Sequence, residues 1–184
     1  MLNIMLDLET LGNKPESCIL AIGACIFDPA RQVVDSQFYS HIELEDSVRC
    51  GFKVDASTIN WWMRQDQDAR QEAFAFPANQ SMRVMEALTN FGEWIYEHCS
   101  DPSDVRMWGN GSDFDNVLLE SAYKKLNMPS PWNFKGNRCY RTVKNVFKGV
   151  PYPNVSLRAH VAVDDAIYQA IHLMEIAKVH KLEL

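Results

Sequence analysis

Asp7 and Glu9 stand one residue apart in the apolar stretch Ile4-Met5-Leu6-Asp7-Leu8-Glu9. On a strand, residues two apart leave the same face, so the two carboxylates would lie close enough to repel. A cation between them relieves that cost, and Mg²⁺ takes carboxylate oxygens together with water and phosphate. The plainer alternative is a strand end with two unrelated solvated acids, and the apolar setting weighs against it. Asp115 follows Trp108-Gly109-Asn110-Gly111, whose small residues allow a tight turn into a helix. Asp113 and Asp115 are both candidates to cap that helix, Asp113 the better of the two.

A second acidic pair, Asp164 and Asp165, opens the last helix, where acids also suit the helix dipole. At about 100° per residue, Asp165 lies roughly opposite an apolar stripe of Ile167, Ile171 and Met174, and Asp164 lies nearer its edge. His160 comes five residues before Asp165, about 140° away around an ideal helix. His160 is therefore expected in the loop ahead of the helix, where it could swing over a site. An imidazole titrates at roughly pH 6.5, which suits a base that takes a proton from water. A surface histidine is the reading that a lone His160 would receive.

These residues need elements to hold them. Residues 3–8 read as a buried strand, 19–27 as a second closed by Asp28-Pro29, and 33–42 as a third, so the chain opens with a three-strand meander. Residues 55–63 read as a helix with Asp55 and Ser57 as caps, and 81–98 as one with Val84, Met85, Leu88, Phe91 and Ile95 on one face. Residues 105–108 suggest a short core strand and 114–126 an amphipathic helix. Past Pro129 and Pro131, residues 138–147 have helical character. A loop with Pro151 and Pro153 leads to a final helix over 163–179, with Val163, Ile167, Ala170, Ile171 and Met174 as its apolar stripe. The expected class is α/β, one mixed central sheet flanked by helices, in a single domain over residues 1–184.

Composition narrows the setting. The 184 residues are 47% hydrophobic and 23% charged, ordinary for a soluble globular protein with one large core. No apolar run approaches the roughly 18 residues that would span a bilayer. The first apolar stretch is broken by Asp7 and Glu9, unlike a signal peptide. Five scattered cysteines without a Cys-x-x-Cys pair suit neither zinc nor a disulfide framework, and point to the cytoplasm. Net charge is −6, yet residues 124–158 contain eight of the 18 basic residues and no acid. Such asymmetry suggests one phosphate-facing surface on an acidic body.

In order along the chain, these residues resemble the DEDDh exonucleases of the DnaQ-like, RNase H-fold superfamily. Asp7-Leu8-Glu9-Thr10 resembles the first motif, residues 110–115 (Asn-Gly-Ser-Asp-Phe-Asp) the second, and His160 followed by Asp165 the third. Anchored on Asn110, the second motif carries one extra residue; anchored on Gly111, it loses its Asn. The compact length and Leu11-Gly12-Asn13 are most similar to the RNase T-like branch, which includes small phage and prophage exonucleases and a mycobacterial-type exoribonuclease. The resemblance implies two Mg²⁺ or Mn²⁺ ions on Asp7, Glu9, Asp115 and Asp165, about 3.5–4 Å apart as in two-ion hydrolases. It implies His160 as general base, and release of nucleoside 5′-monophosphates from the free 3′ end of single-stranded RNA or DNA. Leu8 would wedge against the terminal base, Thr10 would contact the 3′ end, and Asn110 would lie at the substrate. A homodimer is also in keeping with this branch, the basic surface serving the partner's site.

Other residues are candidates to hold the strand. Arg138, Arg141, Lys144 and Lys148 recur at three and four and would line one helix face. Trp132, Phe134, Tyr140, Phe147 and Tyr152 are interleaved with them, a mixture that suits phosphate attraction plus base stacking. A solvated basic face over core aromatics is the alternative. Trp61 and Trp62 point about 100° apart on a helix, so one is core and the other free to stack. Two other functions compete with nucleolysis. A non-catalytic nucleic-acid-binding module gains little from clustered negative charge. A metal-dependent phosphotransferase, to which Asp7-Leu8-Glu9-Thr10 is loosely similar, leaves His160 and Asp165 without a role.

Overall fold

A computed structural model describes residues 1–74 and 80–184. Five strands form one mixed sheet in the order β3-β2-β1-β4-β5. β1 (Leu2–Thr10), β2 (Ile19–Asp28) and β3 (Val33–His41) make the expected antiparallel meander. β4 (Val105–Gly109) runs parallel to β1, and β5 (Asn137–Cys139) runs parallel to β4. Seven helices follow among the described residues: α1 (Leu44–Arg49), α2 (Ala56–Trp62), α3 (Gln67–Phe74), α4 (Val84–His98), α5 (Asp115–Lys125), α6 (Tyr140–Val146) and α7 (Ala162–His180). None is long and apolar enough to cross a membrane.

Alternation along β1 divides the interior in two. Ile4, Leu6 and Leu8 enter a core with Leu88, Phe91 and Ile95 of α4 and Leu118, Leu119 and Ala122 of α5. Met5 enters the other, with Ala166, Ala170 and Leu173 of α7. Because both faces are covered, β2 is buried over nearly its whole length and its sequence is apolar without alternation. Asp7 and Glu9 continue the face of Met5 toward the start of α7. A strand with helices on both sides thus delivers two acids where one helix begins.

Several local expectations need correction. Residues 138–147 are not one helix: β5 takes Asn137–Cys139 and α6 only Tyr140–Val146, so Arg138 and Lys148 lie off the helix and the four cations do not line one helical face. Asp113 does not cap α5, whose N-cap is Phe114 without a side-chain hydrogen bond. Asp55 does cap α2, accepting from the Ser57 amide at 2.7 Å. Met85 is exposed, unlike Val84, Leu88, Phe91 and Ile95. On α7 the buried face is Ala162, Ala166, Ala170, Leu173 and Ala177; Ile167 and Ile171 are half-buried on its flank. Asp165 therefore borders the sheet-facing side, one turn before the buried Gln169.

Candidate active site

Four chain segments meet at the end of β1. Asp115, the first residue of α5, is buried and accepts the Leu8 amide at 3.3 Å. Its approach requires Gly109, where a Cβ would meet the Asn116 Oδ1 at 2.4 Å and the Asp115 Oδ2 at 3.1 Å. Asp165 accepts the His160 amide at 3.0 Å. Ligand atoms of Glu9, His160 and Asp165 all lie within 4.8 Å of one another. Asp7 feels the charges of Asp115, Glu9 and Asp165, and its Oδ1 accepts from Gln169 Nε2 at 2.7 Å. Asp164 takes no part: it accepts the backbone and guanidinium of Arg158 at 3.2 and 2.9 Å.

Burial and crowding raise all four acids. Asp7 is pushed well above the usual carboxylate range by burial, then by Asp115, Glu9 and Asp165, with the Gln169 amide opposing. Burial, with Asp165 and Asp115, lifts Glu9 to about 8. Burial lifts Asp115 to about 7, although the Leu8 amide and, more weakly, the Arg141 guanidinium pull it down. Asp165 is raised by burial against the pull of the His160 amide. Such a set is costly as four anions alone. It is also a set of hard oxygen donors of the kind that Mg²⁺ or Mn²⁺ takes, so the residues fit the cations that the motifs imply.

His160 sits in the loop ahead of α7, as expected, with a left-handed φ of 60°. Its ring lies edge-on to Trp61 and Trp62, with centroids at 5.4 and 6.2 Å. The two indoles divide as the sequence required. Trp62 is 1% exposed and donates to the Thr10 carbonyl at 2.9 Å. Trp61 is 44% exposed and lines a cleft of about 440 Å³ with Leu8, Glu9, Thr10 and Phe114. The Thr10 hydroxyl donates to the Gly12 carbonyl at 2.8 Å. Asn110 holds a buried side-chain oxygen without a partner among the described residues, and its amide hydrogen-bonds Asp115.

Of the basic candidates, Arg141 reaches this region and Arg138 is not brought to it. Gly111, at φ 122°, has the guanidinium of Arg141 lying flat over it, since a Cβ there would meet Cζ, Nη1 and Nη2 at 3.0, 3.0 and 3.1 Å. Arg141 forms no salt bridge among the described residues. Arg138 instead donates to the Lys135 and Asn137 carbonyls. Two other members of the basic stretch are spent on ion pairs: Lys125 with Glu16, and Arg158 with Asp164 and Glu72. Trp132 and Tyr140 are core residues and offer no stacking surface. Two residues of the region escape a sequence reading, Phe114 in the cleft and Gln169 against Asp7. The spacing of four between Asp165 and Gln169 is the one signal that could have found the latter.

Comparison with known proteins bears on the family and the fold. The profile of a family described as the 3′-5′ exoribonuclease Rv2179c-like domain matches residues 2–177. An exodeoxyribonuclease of Enterobacteria phage T4 is 24% identical over 139 residues, covering 68% of this chain and 57% of that protein. The chain thus matches little more than half the length of that relative. E. coli exonuclease I, in a zinc-bound complex with single-stranded DNA, aligns at a TM-score of 0.67 and 13% identity over 98% of this chain and 41% of its own. The nuclease domain of 3′hExo, a DEDDh family member bound to rAMP, aligns at 0.60 and 14% identity over 97% of this chain and 92% of its own. The fold is the RNase H-like fold of the DEDDh exonucleases.

Proposed function

Since the chain belongs to the family of the 3′-5′ exoribonuclease Rv2179c-like domain, we propose that it hydrolyses single-stranded RNA or DNA from the 3′ end to nucleoside 5′-monophosphates. The observation that carries this reading is the convergence of Asp7, Glu9, Asp115 and Asp165 beside a cleft that ends on Trp61. Those four acids would hold two divalent cations. Bound there, the cations would offset the carboxylate charge and stabilise the attacking and leaving oxygens of a phosphodiester.

The chain's own residues account for the rest. Leu8, Thr10, Trp61 and Phe114 line a cleft of a size for the terminal nucleoside, and the exposed indole offers a stacking face. His160, within reach of Glu9 and Asp165, takes a proton from the attacking water through a ring nitrogen. The guanidinium of Arg141, which forms no salt bridge among the described residues, attracts the strand's phosphates to a site that is otherwise negative. End-labelled RNA and DNA oligonucleotides, incubated with Mg²⁺ or Mn²⁺, are expected to give ladders that shorten from the 3′ end. EDTA or Asp7→Ala should abolish them. Intact strands of both kinds with the wild-type protein would reject the proposal.

A further inference from the structure

Gln169 is out of place by packing criteria. It lies on the buried side of α7 among Ala162, Ala166, Ala170 and Leu173, and is itself only 6% exposed. Leucine has a similar reach and would fill the space without a polar group. The amide is also half-satisfied: Nε2 donates to Asp7 Oδ1 at 2.7 Å, while Oε1 is buried and has no partner among the described residues. An orphaned buried acceptor costs stability. The orientation is fixed by charge, because the flipped amide would set its oxygen against a carboxylate oxygen.

We propose that Gln169 is a positioning residue, which ties down Oδ1 of Asp7 so that Oδ2 faces the cation site shared with Glu9, Asp115 and Asp165. Asp7 is otherwise surrounded by like charges that would turn its carboxylate away. Gly23 stands opposite Asp7 in the β1–β2 register, and a Cβ there would meet the Ala162 carbon and Val163 nitrogen at 2.1 Å. The missing side chain lets α7 approach the sheet closely, bringing Gln169 within direct hydrogen-bond reach of β1. The inference rests on the metal-dependent reading above.

The test uses the whole chain stripped with EDTA, with Mn²⁺ as the probe and no nucleic acid. Free Mn²⁺ is counted by electron paramagnetic resonance for wild type and Gln169→Leu, and melting temperature is recorded in EDTA. Loss of an outer partner of a metal ligand typically weakens metal affinity by roughly 10–100-fold, and that is the loss expected for Gln169→Leu. Its melting temperature in EDTA should stay close to that of wild type, since removal of the orphaned Oε1 offsets loss of the bond to Asp7. With saturating Mn²⁺, kcat on a labelled oligonucleotide should fall while KM stays within about twofold, the pattern of lost transition-state stabilisation. Gln169→Met, which keeps the unbranched reach, serves if leucine disturbs the fold. Wild-type Mn²⁺ affinity in the variant, with or without a lowered melting temperature, would leave a packing role alone and overturn the proposal. Failure of the wild type to bind Mn²⁺ at all would overturn the metal reading, and this proposal with it.

Discussion

The imidazole of His160 lies near two indoles and two carboxylates. If it acts as the base, His160→Ala should slow single-turnover cleavage by about 10²–10⁴-fold. Mn²⁺ binding should survive, and a parallel loss of Mn²⁺ would mark the ring as a ligand instead. The adjacent tryptophans should separate cleanly. Trp62→Ala removes a buried indole and its bond to Thr10, and should cost about 3–5 kcal/mol in denaturant unfolding. Trp61→Ala should leave unfolding unchanged and raise KM for the strand; equal KM values would remove Trp61 from the cleft's function. The sequence could say that these two point apart, but not which turns inward. That choice is made by the Thr10 carbonyl, 52 residues away. Asp7 and Glu9 were legible because strand alternation is local. Gln169 was not, because a glutamine in a helix is ordinarily read as solvated.

Element packing depends on small residues that hydropathy undervalues. A periodic reading of α7 picks out Ile167, Ile171 and Met174, yet the face against the sheet is built mainly of alanines. Their small size is what allows the backbone of α7 to pass so close to Gly23. Gly23→Ala should therefore force α7 outward, at a cost of about 1–3 kcal/mol in unfolding free energy. Cleavage should fall further than the unfolded fraction explains, because Asp165, Gln169 and the His160 loop move with the helix. Circular dichroism melts run beside rate measurements would check this, and wild-type values in both would refute it. The opening meander and long α4 were readable from pattern. α1, α3 and β5 were not: six, eight and three residues are too few to show a period.

Across the whole molecule, the carboxylate cluster links stability to pH and to cations. Glu9 and Asp115 sit near 8 and 7 in the folded chain, above their ordinary values of 4.5 and 3.8, and Asp7 and Asp165 are raised as well. Acids raised by folding favour the folded state fully below their unfolded values, and that contribution is lost as pH climbs through the folded ones. In EDTA the protein should therefore melt progressively lower between about pH 4 and pH 8. Mg²⁺ or Mn²⁺ should raise the melting temperature most at the upper end of that window. A cation effect that is flat with pH would argue against these acids as the ligands. Global charge had suggested the polarity of the molecule, acidic with one basic stretch. It could not show that Lys125 and Arg158 are spent on ion pairs within the fold, whereas Arg141 is not.

The close seating of α7 against the sheet has a consequence for synthesis. Translation proceeds from the amino end, and a chain that has emerged only as far as Val150 already carries all five strands with Asp7, Glu9 and Asp115. It still lacks His160, Asp165 and Gln169, which come with the helix and the loop before it. If the protein degrades RNA, it cannot begin on the message being read until that helix has left the ribosome and docked.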